Sequence, residues 1–366
     1  MRVLAVVTLV SPHGEYGGPV RVAVNQLAAL RDLGHDVVLA GSARGYDTMP
    51  TEVDGVPARL YPARTIVPGI GFAGVGSPAL LRALRRHVGE FDVVHVHAAR
   101  DLVTLPAARI AQARGIPTVL QTHGMIDETS NPLAVPLDAL LTRPALTAAR
   151  VVTHLTPRER ASLEVVGRGR ARLTELPNGV PAGPAAAADG PELLYLARLA
   201  PRKRPGHFVE AASILAAEFP AARFTLVGPD EGEGDAVRAA IAASGHHDRI
   251  RWEGALAPAL TGERMRQATG YVLPAVDEPY PMSVLEAMSA GLPVVVTDTC
   301  GLAGAVRTAD AGIVTDGGLD DLVVAMRRLL EDPAAGRVRG ERGRALTRER
   351  FTMPAIARRL VGLYAE

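Results

Sequence analysis

Glu278 and Glu286, with seven residues between them, bracket a corner of the chain where chemistry is possible. The apolar run Gly270 to Ala275 reads as a strand, the chain then turns through prolines, and a short amphipathic segment follows until Gly291 stops it. Pro293 opens a further run of β-branched residues. In an open parallel sheet the loop at the carboxyl end of a strand is where ligands bind, and the next helix offers free backbone N–H groups to an anion. Glu278 falls on that loop, Met282 and Ser283 at the helix start, and Glu286 about a turn further on. Ser283-Val284-Leu285-Glu286 also fits a capping box, in which Glu286 only ties back to the helix start. Glu278, before Pro279, equally reads as a solvated loop acid.

A second corner lies between the strand-like Glu192 to Ala197 and a helix from Pro205 to Glu218. It holds Arg198 and, five residues on, Lys203, the only lysine among 40 basic residues. Where the chain elsewhere uses arginine for positive charge, the exception suggests that a compact ammonium is wanted; a generic basic loop is the other reading. Three histidines complete the set. His95 and His97 alternate on the run Asp92 to His97 and share one face. No nearby Cys or acid cluster supplies the further ligands a metal needs, so no metal site is expected. His123 ends the next apolar run, Thr118 to Thr122, where catalytic groups of open sheets cluster, and Asp127 follows on the same loop. A loop histidine bonded to backbone is the alternative for His123.

These residues need a scaffold of alternating strands and helices. Val3 to Val10 is an all-apolar, valine-rich run, the sign of a strand buried on both faces. Gly17-Gly18-Pro19-Val20-Arg21 then reads as a turn entering a helix, with Gly18 as cap and Pro19 at the first helical position. Further strands are expected at 35–40, near 58–61 and at 149–155, with helices from Leu80 to Val88 and from Pro157 or Arg158 to Val166. The Ala-, Gly- and Pro-rich run Ala182 to Pro191 is the clearest linker. After it the rhythm restarts, through strands at 224–227 and 250–254 to a charged helix over 326–350 and a final amphipathic helix over 351–364. At 366 residues two cores are expected. The pattern is two doubly wound, Rossmann-like α/β domains, 1–180 and 181–350, followed by the helix 351–366.

The string from Glu278 to Val296 resembles the Glu-x7-Glu segment of retaining glycosyltransferase family 4, polysaccharide type. Asp92-Val93-Val94-His95-Val96-His97, His123-Gly124-Met125, Pro177-Asn178-Gly179-Val180 and the five-residue offset of Arg198 and Lys203 resemble its other motifs. The resemblance implies the GT-B architecture, two such domains facing a cleft, with the last helix returning to the N-terminal domain. It implies that Glu278 contacts hydroxyls of the donor sugar, Glu286 holds the nucleotide ribose, and Arg198 and Lys203 neutralise the diphosphate beside Gly17 and Gly18. His123 would reach the donor sugar, while His97, Asp127 and Arg21 would belong to the acceptor or cleft. Glu278, His123, Arg198 and Lys203 are thus the candidate catalytic residues, and Met282 and Ser283 join the donor set. Four positions depart from the family pattern: Ala197 and Arg204 replace flanking glycines, Gly304 replaces an acid, and Pro281 replaces a glycine whose N–H it cannot supply.

The implied function is retaining, metal-independent transfer of a sugar from a nucleotide-diphosphate sugar to a saccharide, lipid-linked or small-molecule acceptor, with no cofactor. No Asp-x-Asp pair occurs to bridge a metal. A sugar-nucleotide epimerase of the same architecture, or a non-catalytic nucleotide-sugar-binding subunit suggested by Pro281 and Gly304, are the alternatives. Forty basic against 39 acidic residues give no global argument for nucleic acid, and 4% aromatic content shows no basic-aromatic interleaving. Cys300, the only cysteine, suits a reducing compartment and reads as a small buried thiol. The N-terminus lacks the pattern of a signal peptide and no run approaches a membrane span, so a cytoplasmic protein is expected. Arg82, Arg85, Arg86 and His87 form either a solvated face or a patch for peripheral membrane contact at the inner face.

Overall fold

The structure, a computed structural model, describes residues 1–12, 17–180, 185–188, 190–257 and 260–366. It comprises two units: Met1–Gly179 with Met353–Glu366, and Val180–Thr352. The first unit contains β1 (Arg2–Val10), β2 (Asp36–Ala43), β3 (Glu52–Val53), β4 (Val56–Pro62) and a small hairpin of β5 (Arg64–Thr65) and β6 (Val75–Gly76). It continues with β7 (Val93–His97), β8 (Thr118–Gln121), β9 (Val151–His154) and β10 (Leu173–Glu175). The main sheet runs β10-β9-β8-β7-β1-β2-β4-β3, parallel throughout except for the β3/β4 pair. Val3 to Val10 are all buried, as a strand covered by helices on both faces must be.

The second unit carries β11 (Glu192–Leu196), β12 (Arg223–Val227), β13 (Ile250–Trp252), β14 (Gly270–Leu273), β15 (Val294–Thr297) and β16 (Gly312–Thr315). Its sheet order is β13-β12-β11-β14-β15-β16, all parallel. Both sheets are doubly wound. Strand order reverses between β1 and β7 in the first unit and between β11 and β14 in the second. The loops leaving those strands flank the crevice where such sheets bind ligands.

Several expectations shift. The helix after β1 spans Gly17–Asp32, so Gly17 and Gly18 are its first residues and Pro19 its third; residues 13–16, the loop before it, lie outside the described set. Proline is tolerated there because the first four N–H groups of a helix lack intrahelical acceptors. The charged stretch 326–350 is two helices, Leu319–Glu331 and Pro333–Arg350. The break falls at Asp332, whose carboxylate accepts from the Ala335 N–H at 2.9 Å, with Pro333 opening the new helix. The supposed linker lies partly outside the described residues, yet Ala186 and Ala187 donate to the carbonyls of Ala290 and Arg266, so this part is tied down. The helix Met353–Ala365 lays Ile356, Ala357, Leu360 and Leu363 into the same core as Val24, Leu27 and Leu30. Arg82, Arg85, Arg86 and His87 are exposed on the helix Pro78–His87, whose Leu80 and Leu84 face inward. Among the described residues no helix is long and apolar enough to cross a membrane.

Gly228, just beyond β12, has φ +149° and sits so close to β11's exit that a Cβ would lie 1.9 Å from the Ala197 carbonyl oxygen. Only glycine fits both the angle and the gap. Gly228→Ala is expected to destabilise the second unit by about 2–4 kcal/mol. Gly206→Ala, whose added methyl meets nothing within 4 Å, should leave stability unchanged or slightly higher. Urea unfolding followed by Trp252, the only tryptophan, reads this directly, because its indole donates to the Gly228 carbonyl at 2.9 Å; equal midpoints for parent and Gly228→Ala would contradict the packing argument.

Candidate active site

The two corners singled out in the second unit meet at its switch point. The Val276 N–H, after β14, donates to the Arg202 carbonyl, after β11, at 2.9 Å. This joins the loops and sets the Lys203 ammonium 2.5 Å from Glu278 Oε2, with Lys203 8% and Glu278 6% exposed. Burial pulls the Lys203 ammonium below the usual lysine range; Glu278 opposes the shift, and nearby Arg202 and Arg198 add to it. Arg202, exposed, reaches to 3.4 Å from the same carboxylate oxygen. Arg198 is instead paired with Glu231 at 2.8 Å on the surface. The basic run thus divides: Lys203 and Arg202 share Glu278, and Arg202 was not singled out in the sequence because it looks like any arginine of a basic loop.

Backbone geometry explains part of the local pattern. Arg204 holds a left-handed φ of +49°, costly for a side-chain-bearing residue, at the place where the family carries glycine. Its guanidinium donates to the Gly317 carbonyl at 2.7 Å, which fixes the turn. The helix after β14 is Met282–Ser289, with Pro281 at its N-cap and no side-chain capping bond. Ser283 is therefore inside the helix and the capping box does not form. Instead the buried Tyr271 hydroxyl lies 2.7 Å from Ser283 Oγ and 3.0 Å from the Leu196 carbonyl oxygen, fastening the helix start to the end of β11. The Tyr195 hydroxyl donates to the Arg198 carbonyl at 3.2 Å. Met282 and Glu286 are half-buried on the helix. Cys300 is buried, its thiol pushed up to about 11 by that burial, which suits a packing role.

In the first unit His95, His97 and His123 form a column. The His95 and His97 rings stack at 4.7 Å, and those of His97 and His123 at 5.1 Å with His97 Nδ1 2.8 Å from His123 Nε2. His95 Nδ1 lies 2.8 Å from the Tyr364 hydroxyl of the last helix. The rings stack rather than converge, and no group of three or more potential ligands able to hold a metal occurs among the described residues. His97 is 1% exposed, deep in this stack, and its Nε2 has no hydrogen-bond partner among the described residues. Burial brings His95 and His123 down to about 3 and His97 well below its usual value, so all three are neutral imidazoles near pH 7. His123 itself has φ +52°. The loop is held by buried Glu159, which accepts from the Gly124 N–H at 2.6 Å, the Leu155 N–H at 2.6 Å and the Thr122 hydroxyl at 2.5 Å. The signal for Glu159 was present as Thr156-Pro157-Arg158-Glu159, a capping-box spacing whose acid turns to the neighbouring loop instead. Asp127 is exposed and accepts from Arg100, which also grips Asp138 through two bonds. Arg21 and Gly18 are exposed near the start of the first helix, and among the described residues none comes within 4 Å of a methyl built on Gly18.

The column carries a pH dependence. Below pH 6.5 the unfolded chain protonates these imidazoles, whereas in the folded unit His95 and His123 resist until pH nears 3 and burial holds His97 well below its usual value. Their contribution is thus complete above pH 6.5 and lost as pH falls from there. His97→Asn should show a shallower fall of thermal midpoint between pH 6.5 and 4 than the parent; parallel curves would refute the assignment.

Residues 17–179 match the family described as Glycosyl transferase 4-like domain, and residues 182–346 that described as Glycosyl transferases group 1. The chain is 27% identical over 342 residues to the D-inositol 3-phosphate glycosyltransferase of Acidothermus cellulolyticus, covering 83% of this chain and 75% of that one. It is 28% identical over 343 residues to the phosphatidyl-myo-inositol mannosyltransferase of Mycolicibacterium smegmatis, covering 88% and 84%. Among solved structures, Anabaena HepE in complex with UDP superposes with a TM-score of 0.76 at 18% identity over 100% of both chains. Sucrose-phosphate synthase from Thermosynechococcus elongatus gives 0.75 at 20% identity, over 100% of this chain and 98% of that one. These structural likenesses speak for the fold, and the paired sequence matches account for both doubly wound units. The chain belongs to the GT-B glycosyltransferases of family 4.

Proposed function

We propose that the second unit binds a nucleotide-diphosphate sugar at the corner between β11 and β14, and that the enzyme passes the sugar, with retained anomeric configuration and without a bridging metal, to a hydroxyl of a saccharide, lipid-linked or small-molecule acceptor. The observation that carries this reading is the buried Lys203–Glu278 pair at the switch point, beside exposed Arg202. In transfer the bond from the anomeric carbon to the diphosphate oxygen breaks, a bond to the acceptor oxygen forms on the same face, and the acceptor proton passes to the departing phosphate. The developing phosphate charge is what fixed cations and amides stabilise without reorganising. An arriving diphosphate would take the Lys203 ammonium from Glu278, freeing that carboxylate to accept from sugar hydroxyls. Glu286, further along the helix, is assigned to the ribose. Pro281 leaves the amides of Met282 and Ser283 as the first N–H donors of this helix.

On the first unit, His123 is the candidate catalytic group, a neutral imidazole that offers a hydrogen bond rather than a charge. His97 orients it from within the stack, and Asp127 and Arg21 are assigned to the acceptor side. The solved HepE complexes are described with UDP and with UDP-glucose, which supports a nucleotide-sugar donor. Two relatives, a D-inositol 3-phosphate glycosyltransferase and a phosphatidyl-myo-inositol mannosyltransferase, are named for sugar transfer to different acceptors. With a lipid-linked acceptor, the exposed arginines of the helix Pro78–His87 would meet the membrane surface.

Release of nucleoside diphosphate from a panel of nucleotide sugars by the purified chain tests the proposal. Lys203→Ala should lower turnover about 10²–10³-fold, and Lys203→Arg should restore part of it, because a planar fork replaces a point charge. Glu278→Gln should impair turnover more than nucleotide affinity. Glu286→Ala should weaken nucleoside diphosphate binding about ten- to hundredfold. Parent-like turnover in Lys203→Ala, or no turnover by the parent with any donor, would remove the corner from the mechanism.

Activity is expected to persist in EDTA at the rate seen without it. Loss of transfer in the chelator, restored by manganese, would show that the cations of this corner do not act alone on the diphosphate.

A further inference from the structure

We infer that the amino-terminal edge of the second unit's sheet is a binding site for a small phosphorylated metabolite, separate from the corner that holds Lys203 and Glu278. A cavity of about 400 Å³ opens there, at the start of β11, β12 and β13, within the range of about 300–1,000 Å³ usual for small-molecule sites. Four guanidinium groups line it against two carboxylates.

Both carboxylates are already committed. Arg264 donates to Glu192 at 2.7 Å and to Glu253 at 2.8 Å, and the Thr225 hydroxyl adds a bond to Glu192 at 2.5 Å. That leaves Arg223, Arg249 and Arg251. Arg249 is anchored on the neutral carbonyl of Ala216 at 2.5 Å and on His246 Nδ1 at 2.8 Å, and the exposed Asp248 carboxylate is 3.7 Å away. Arg251 uses Nε on the Asp248 backbone carbonyl at 3.0 Å, leaving its terminal nitrogens. Among the described residues Arg223 has no ion pair.

These arginines are placed by register. Phe224 pairs with Ile250 and Thr225 with Arg251 across two parallel strands. With alternating side chains, Arg223 and Thr225 share one face with Arg249 and Arg251. Like charges gathered on one wall repel until an anion offsets them, and the guanidinium fork matches phosphate oxygens two at a time. The site is distinct from the catalytic corner by direction. Glu192, in this wall, begins β11, and Leu196, which leads to Arg198 and Lys203, ends it; a five-residue strand is about 17 Å long.

Calorimetric titration of the full chain with inorganic pyrophosphate tests this. Parent and Lys203→Ala should both bind the probe at this edge, whereas adding Arg223→Ala and Arg251→Ala to Lys203→Ala, in which the corner's own hold on a diphosphate is removed, should weaken binding about ten- to hundredfold. Both substituted arginines are exposed, so the fold should survive their loss, and unchanged urea unfolding at Trp252 verifies it. Binding by the triple variant equal to that of Lys203→Ala, or loss of all binding in Lys203→Ala, would overturn the inference. So would equal competition by sodium chloride of matched ionic strength, which would reduce the effect to general screening.

Discussion

The structure of the second unit turns on one costly arrangement, a charge pair taken out of water. An ammonium and a carboxylate buried together gain little net stability, yet removing either partner typically costs about 3–5 kcal/mol because the other is left uncompensated. The Lys203–Glu278 pair therefore demands that two loops, 75 positions apart in sequence, be held in register. The sheet does this by its topology. β11 and β14 are neighbours only because the strand order reverses there, and the Arg202 carbonyl then accepts the Val276 N–H. Gly228 presses on the Ala197 carbonyl from one side, and the hydroxyls of Tyr195 and Tyr271 hold the exit of β11 from within the core.

Much of this was legible in the sequence, for reasons that can be named. Parallel strands buried on both faces must be valine-, leucine- and isoleucine-rich, so β1, β7, β8, β14 and β15 announced themselves. Glu278 and Lys203 stood out as an acid in a proline-rich turn and a solitary lysine. What escaped was whatever depends on partners distant in the chain. Arg202 gains its place from Glu278, and Glu159 from the His123 loop. The local reading of Ser283 and Glu286 as a capping box failed because Pro281 took the N-cap, moving the serine into the helix and toward Tyr271. The edge strands β10 and β16 are only partly buried, so they lack the burial on both faces that marks the others.

The first unit reaches a similar result by neutral means. Where the second unit stabilises its corner with opposite charges, the first stacks three imidazoles whose burial keeps them uncharged. The acid that secures the loop, Glu159, is spent on two amides and a hydroxyl, so it anchors backbone rather than tuning His123 by charge. Each unit has thus committed a buried carboxylate to the loops leaving its sheet, one to a cation and one to peptide groups and a hydroxyl, and a phosphate competes only for the cation.

The chain enters the second unit after Gly179 and leaves it at Thr352, where the Val180 N–H donates to the Phe351 carbonyl at 2.7 Å. The second unit is therefore an insertion into the first, and this reverses the order in which a ribosome can deliver finished parts. Residues 1–179 emerge early, but their core still lacks Ile356, Leu360 and Leu363, each worth about 1.5–3 kcal/mol when buried. Tyr364, against which His95 rests, is later still. The nascent N-terminal sheet must wait, with the faces of Val24, Leu27 and Leu30 uncovered, while the second unit is made and can close on itself. During synthesis, then, the hazard of aggregation belongs to the half of the molecule that is translated first.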